Sequence, residues 1–146
     1  MHNRRILLVE DNADHQELTL MTLSENKIGD EVVVAGDGVE ALEYLFGHGQ
    51  YAGRDVRDVP ALILLDLKLP KLNGIEVLRR IRDDERTDLV PVVILTSSSE
   101  EEDIVASLRG GANSYVRKPV DFTRFVEQLH LLQVYWLLVH EPAGRP

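Results

Sequence analysis

Three short apolar runs, each stopping on a polar residue that has no place in a core, constrain this chain most. Ile6-Leu7-Leu8-Val9 runs into Glu10 and Asp11, Ala61-Leu62-Ile63-Leu64-Leu65 into Asp66, and Val92-Val93-Ile94-Leu95 into Thr96. A fourth stretch, Ser114-Tyr115-Val116-Arg117, ends on Lys118-Pro119. Continuous runs rich in Val, Ile and Leu are the pattern of strands buried on both faces of a parallel sheet. In open parallel sheets the ligand site lies outside the carboxyl ends of the strands. The unusual polar residues therefore gather where such a fold keeps its chemistry.

Between these runs the pattern turns helical, so strand and helix alternate five times and the expected class is α/β. Asn12 or Asp14 can cap a first helix reaching about Asn26, with Leu18, Met21, Thr22 and Glu25 at helical spacing. Val32 to Ala35 is a further strand, and Gly36-Asp37-Gly38 turns out of it into a helix marked by Val39, Leu42, Leu45 and Phe46. Residues 47–60 form a polar loop of about fourteen residues, long for a compact domain, and read either as a surface insertion or as a partner contact. Asn73-Gly74 signals a turn before a helix whose buried face is Ile75, Val77, Leu78 and Ile81. Ser97 to Ser99 and Glu100 open the next helix, Gly110-Gly111 stops it, and Asp121 caps a last one running to about His140.

At 146 residues, with 44% hydrophobic and 28% charged, the chain suits one globular domain. A net charge of −9 argues against nucleic acid, which needs clustered Lys and Arg. Cysteine is absent, which excludes disulfides. Neither the start nor the stretch Leu131 to Val139 is long enough for a secretion signal or a bilayer span, so the expected place is the cytoplasm.

Carboxylates converging at one sheet end repel one another unless a cation joins them. Oxygen ligands with room for water suit Mg²⁺, with Mn²⁺ as an alternative. The Lys118 ammonium and Thr96 hydroxyl on the same rim complete a clamp for a phosphoryl group. Asp66, framed by a long strand and the Pro70 turn, is the candidate nucleophile. The histidines share no ligand spacing and read as surface or interface residues.

The spacing of these residues resembles the receiver domain of two-component response regulators, over Arg5 to Phe125. Glu10-Asp11 matches the family's acidic pair. Asp66, Pro70 and Gly74 match its phosphoacceptor with Pro four and Gly eight residues on. Thr96, Tyr115 and Lys118-Pro119 match its hydroxyl, aromatic and Lys-Pro. The resemblance implies a flavodoxin-like sheet of order 2-1-3-4-5 with five helices, the order that a chemotaxis member of the family illustrates. It implies a cis Lys118–Pro119 bond. It implies Mg²⁺ held by Glu10, Asp11, Asp66 and the backbone carbonyl of Lys68. It further implies phosphorylation of Asp66 by a histidine kinase, phosphate contacts from Thr96 and Lys118, and a switch through Thr96 and Tyr115. Lys68 and Ser98 stand where family members tune dephosphorylation. No enzymatic activity is implied beyond the chain's own phosphorylation and dephosphorylation.

The last helix is expected to overshoot the domain. Residues 1–130 would be the receiver and residues 131–146 an extension and tail. Phe122, Phe125, Val126, Leu129, Leu132 and Trp136 form one apolar stripe. Leu131, Val134, Tyr135 and Leu138 form a second on the opposite side, which a helix of ~30 Å would carry beyond its domain. That second stripe is the expected homodimer interface. The overhang, the long loop and the lack of an output domain resemble small regulators serving phytochrome-type histidine kinases. Two rivals remain. A haloacid-dehalogenase-like phosphatase, also Mg²⁺-dependent with an Asp nucleophile, would want a second Asp where Lys68 stands. A phosphorylation-independent pseudo-receiver scaffold would lack one of the acids, Thr96 or Lys118, and none is lost.

Overall fold

The computed structural model describes residues 4–97 and 101–139. Strands β1 (Arg5–Val9), β2 (Glu31–Ala35), β3 (Leu62–Asp66), β4 (Val92–Thr96) and β5 (Ser114–Arg117) make one parallel sheet of order 2-1-3-4-5. Six helices connect and follow them: α1 (Ala13–Glu25), α2 (Gly38–Phe46), α3 (Gly74–Asp83), α4 (Glu101–Arg109), α5 (Phe122–Leu131) and α6 (Tyr135–Val139). This is the doubly wound, flavodoxin-like arrangement that the resemblance implies, with α6 added to the five helices expected.

Alternation along the strands divides the core into two layers. Leu7, Val9, Ile63, Leu65, Val92 and Ile94 pack with Ala41, Tyr44 and Leu45 of α2 and Val77, Leu78 and Ile81 of α3. Ile6, Leu8, Leu62, Leu64, Val93 and Leu95 face the other way, onto Leu23 of α1, Phe125 and Leu129 of α5 and Leu138 of α6. Each such side chain removed from water contributes about 1.5–3 kcal/mol. With both faces covered, β1, β3 and β4 have no need of polar residues until they leave the sheet.

The chain re-enters helices through side-chain caps set just past strand ends. Asn12 Oδ1 accepts from the His15 amide at 3.0 Å, Asp37 Oδ1 from Glu40 at 2.7 Å, Asn73 Oδ1 from Glu76 at 3.0 Å and Asp121 Oδ1 from Arg124 at 3.0 Å. A cap of this kind contributes about 1 kcal/mol and fixes where the helix starts. The caps expected at Ser98 and Ser99 lie outside the described residues, as does His140.

Two expectations need correction, and one open reading gains detail. The face of α1 read from Leu18 and Met21 points outward, with those residues about half exposed, and Thr19 and Leu23 point in. The helix carries polar residues on most of its surface, so its apolar spacing specified rotation only weakly. The loop at residues 47–60 is held on its own domain: Arg54 stacks 4.1 Å over the Tyr44 ring, and its guanidinium donates to Tyr44 O at 2.6 Å and Asp58 O at 2.9 Å. Those bonds satisfy a carbonyl near the end of α2, which a loop of this length can reach by folding back.

The largest correction concerns the carboxyl end. The continuous helix expected from Asp121 to His140 breaks after Leu131, and Gln133 takes the left-handed conformation (φ 61°). The chain folds back as α6. Val134 and Leu138, assigned to an outward stripe, are buried in the core shared with α1 and α5, whereas Leu131 remains 77% exposed. Val134 and Leu138 are thus part of the domain's packing. Pairing of Val134 and Leu138 with the sheet layer costs the helix one turn and removes two large side chains from water, which the straight overhang could not do.

Candidate functional site

The register that builds the sheet also assembles the acidic site. Val9 lies opposite Leu65, and Asp66 opposite Leu95. Successive side chains alternate between faces, so Glu10 and Asp66 fall on the α1/α5 side, whereas Thr96 and Tyr115 fall on the α4 side. Carboxylate oxygens of Glu10, Asp11 and Asp66 come within 4.8 Å of one another. Asp11 is exposed at the rim; Glu10 and Asp66 are buried.

Lys118 is the cation that makes this tolerable. Its ammonium donates to Asp66 Oδ2 at 3.0 Å, to Glu10 Oε1 in a short contact, and lies 3.0 Å from His15 Nδ1. The Lys118–Pro119 peptide is cis, and the Lys118 amide donates to Thr96 O at 2.9 Å. The other Glu10 oxygen, Oε2, accepts from the Asn12 amide at 3.2 Å, and Asp66 Oδ1 accepts from the Lys68 amide at 3.2 Å. Burial pushes the Glu10 carboxyl above the usual carboxylate range; its bond to Lys118 pulls it back down, and the Asp66 charge pushes it up again.

Backbone packing keeps the nucleophile's loop in place. A Cβ on Gly74 would stand 2.3 Å from Asp66 O and 2.7 Å from Leu67 Cα, so only glycine permits α3 to begin against the end of β3. A Cβ on Gly38 would stand 2.1 Å from Leu72 O, which holds the same loop against the start of α2. Lys71 Nζ, 3.3 Å from Asp37 Oδ2, ties the two together at the surface.

Thr96 ends β4, nearly inaccessible to solvent. Tyr115 is half-buried against the α2/α3 layer, with the Arg124 guanidinium 5.5 Å from its ring centroid. The Lys68 side chain points outward, 3.8 Å from Asp103 Oδ2. Ser98 lies outside the described residues. One residue absent from the sequence-derived site joins it: His15, placed beside Lys118 because the Asn12 cap starts α1 three residues earlier. The cap alone does not signal the contact, which needs the distant end of β5 to bring Lys118 alongside. A cavity of about 260 Å³ opens here, lined among others by His15, Thr19, Ser97, Lys118 and Pro119.

The donor set is all hard oxygen, one ligand exposed and two buried, which fits a small divalent cation that retains water. Among the described residues no helix is long and apolar enough to cross a membrane.

Known proteins agree with this geometry. The response regulator receiver domain family matches residues 6–130. The probable methanogenesis regulatory protein FilR2 of Methanothrix harundinacea is 37% identical, over 90% of this chain and 83% of its own length. The solved bacteriophytochrome response regulator AtBRR is 48% identical and superposes with a TM-score of 0.84, covering 97% of this chain and all of its own. The Mn²⁺-bound form of the response regulator Rcp1, a protein of Synechocystis, is 34% identical with a TM-score of 0.75, over 92% of this chain and 94% of that one. With the family matched over residues 6–130 and relatives this similar along most of both lengths, the chain belongs to the response regulator receiver domain family.

Proposed function

We propose that the chain is a single-domain response regulator that accepts a phosphoryl group from a phosphohistidine of a histidine kinase. The observation that carries this is the convergence of three carboxylates, of Glu10, Asp11 and Asp66, with the Lys118 ammonium bound to two of them, Glu10 and Asp66. In the transfer an Asp66 carboxylate oxygen forms the new bond to phosphorus. The P–N bond breaks, and its electron pair returns to the imidazole ring. Glu10, Asp11 and Asp66, with the Lys68 carbonyl, would hold Mg²⁺ or Mn²⁺. Such an ion supplies positive charge that offsets the repulsion between phosphoryl oxygens and the acidic pair. Lys118 exchanges its Asp66 contact for a phosphoryl oxygen, the Thr96 hydroxyl donates to another, and Tyr115 turns inward behind Thr96. Incubation with acetyl phosphate and Mg²⁺ should add one base-labile phosphate, absent from Asp66→Asn. Phosphate retained by the Asn variant would overturn the assignment. Asp11→Asn should weaken Mg²⁺ binding in an NMR titration.

The kinase is proposed to be of the phytochrome type, supported by the likeness to AtBRR, whose name gives it that role. Phosphotransfer from such a kinase should outpace transfer from an unrelated histidine kinase. A homodimer is proposed as well. Since Val134 and Leu138 are occupied internally, its contact is moved to the exposed apolar residues Leu131, Trp136 and Leu137, with Phe122 on α5. Sedimentation of the intact chain against Trp136→Glu tests this; if both are monomers, the dimer is wrong. Cytoplasmic placement follows from partnership with a kinase's phosphorylated histidine domain.

A further inference from the structure

Lys118 Nζ is surrounded by three acceptors, and only two of them are anions. An ammonium carries three N–H groups and no lone pair, so it can only donate. Glu10 Oε1 and Asp66 Oδ2 take two of its hydrogens, and the third direction leads to His15 Nδ1 at 3.0 Å. Nδ1 must then accept, which puts the ring proton on Nε2 and leaves the imidazole neutral. Glu10 Oε2 is 3.9 Å from the same nitrogen, beyond hydrogen-bond reach, so the ring's partner is the ammonium rather than the carboxylate.

We propose that His15 is a positioning residue for phosphoryl transfer: its Nδ1 lone pair holds the Lys118 ammonium where Asp66 can exchange for a phosphoryl oxygen. The inference rests on the reading of Asp66 as phosphoacceptor. A neutral acceptor suits the position. A third carboxylate would bind the ammonium more tightly and add negative charge in the path of an incoming phosphoryl group. An apolar side chain would leave one N–H to the water of the adjoining cavity, and the ammonium would be free to swing. The backbone that carries the ring is fixed from behind, because the His15 amide donates to the Asn12 cap at 3.0 Å. His15 stands at the cavity wall with Lys118, Ser97 and Pro119.

The test compares His15→Leu, which keeps bulk but offers no acceptor, with His15→Asn, whose Oδ1 can stand where Nδ1 does. Phosphorylation by acetyl phosphate with Mg²⁺ should slow about tenfold in His15→Leu, the effect of one charge-assisted hydrogen bond partly replaced by water. His15→Asn should recover most of the rate. In the intact wild-type protein, ¹⁵N NMR of the imidazole should show the Nε2–H tautomer. Equal rates in wild type and His15→Leu, equal slowing in both variants, or an Nδ1–H ring would each overturn the role of His15. A wild-type chain that takes no phosphate would instead overturn the reading of Asp66, and this inference with it.

Discussion

Lys118, buried at the carboxyl ends of the strands, and Arg82, partly buried on α3, are two cations of this domain that are caged differently. Lys118 meets two carboxylates and an imidazole. Arg82 donates to five neutral oxygens: Gly111 O at 2.8 Å, Val90 O at 2.7 Å, Asp88 O at 3.1 Å, Thr87 O at 3.4 Å and Asn113 Oδ1 at 3.0 Å. Burial pulls the Arg82 guanidinium below its ordinary value. A planar fork with five donors can pin several loops at once, which a point charge cannot. Its cage joins α3 to the loops before β4 and before β5, and it has no anion to exchange. The Lys118 cage is made of groups that other ligands also want. The cage of carbonyls is therefore structural, and on the proposed function the cage of carboxylates is exchangeable.

The comparison is broken most directly at Lys118. Lys118→Met leaves two buried carboxylates facing each other, and breaking a buried pair from one side costs about 3–5 kcal/mol. Urea unfolding should show that loss, and excess Mg²⁺ should recover part of it. An unchanged midpoint would mean that the carboxylates find other partners. Arg82→Met should cost about 2–3 kcal/mol, since it strands buried carbonyls, each worth ~1–3 kcal/mol when unsatisfied. Mg²⁺ affinity should be untouched, and a weakened metal site would erase the distinction between the two cages. Arg82→Lys sharpens it further: the charge is kept but the fork is lost, with an expected cost of about 1–2 kcal/mol by the same unfolding measurement.

The smallest effect belongs to a surface pair. Asp84 is held down to about 2 by the Arg86 guanidinium, whose Nη2 lies 2.8 Å from Asp84 Oδ2. A carboxyl whose folded value is depressed adds stability that is present above its ordinary value near 3.8 and is lost as pH falls through about 2. Solvent screens this pair, so Asp84→Asn should cost only about 0–1 kcal/mol at neutral pH, and less as pH approaches 2. A larger effect would show that exposure matters less than the partner.

Most of the site was legible because strand periodicity is strict. A run such as Leu62 to Leu65 can only be a fully covered strand, and Asp66 then has one place to go. The caps at Asn12 and Asp121, and the turns at Asp37 and Asn73 that prove to be caps, were readable for the same local reason. What escaped depended on distant competition. The stripe at Val134 and Leu138 was correctly seen as needing cover, but whether its own sheet or a second molecule supplies it turns on the reversal at Gln133, and glutamine gives no warning of a left-handed turn. His15 escaped because its partner is 103 residues away. The Arg82 cage carries no mark in the sequence for the same reason, since most of its acceptors are backbone oxygens brought close by the fold.

The fold-back of α6 has a kinetic side. Leu138 O accepts from the Gly29 amide at 2.8 Å and from the Arg4 guanidinium at 3.1 Å, so the last helix fastens onto the turn before β2 and the chain just ahead of β1. Closing a span of 134 residues is affordable only once the sheet has already brought its ends together. A helix of five residues has little stability of its own. It should consequently be the first segment to let go and the last to dock, at a free energy well below that of global unfolding. The Gly29 hydrogen is bonded to nothing but that helix's carbonyl in the described structure, so its exchange with deuterated solvent becomes a clock for release of the carboxyl end.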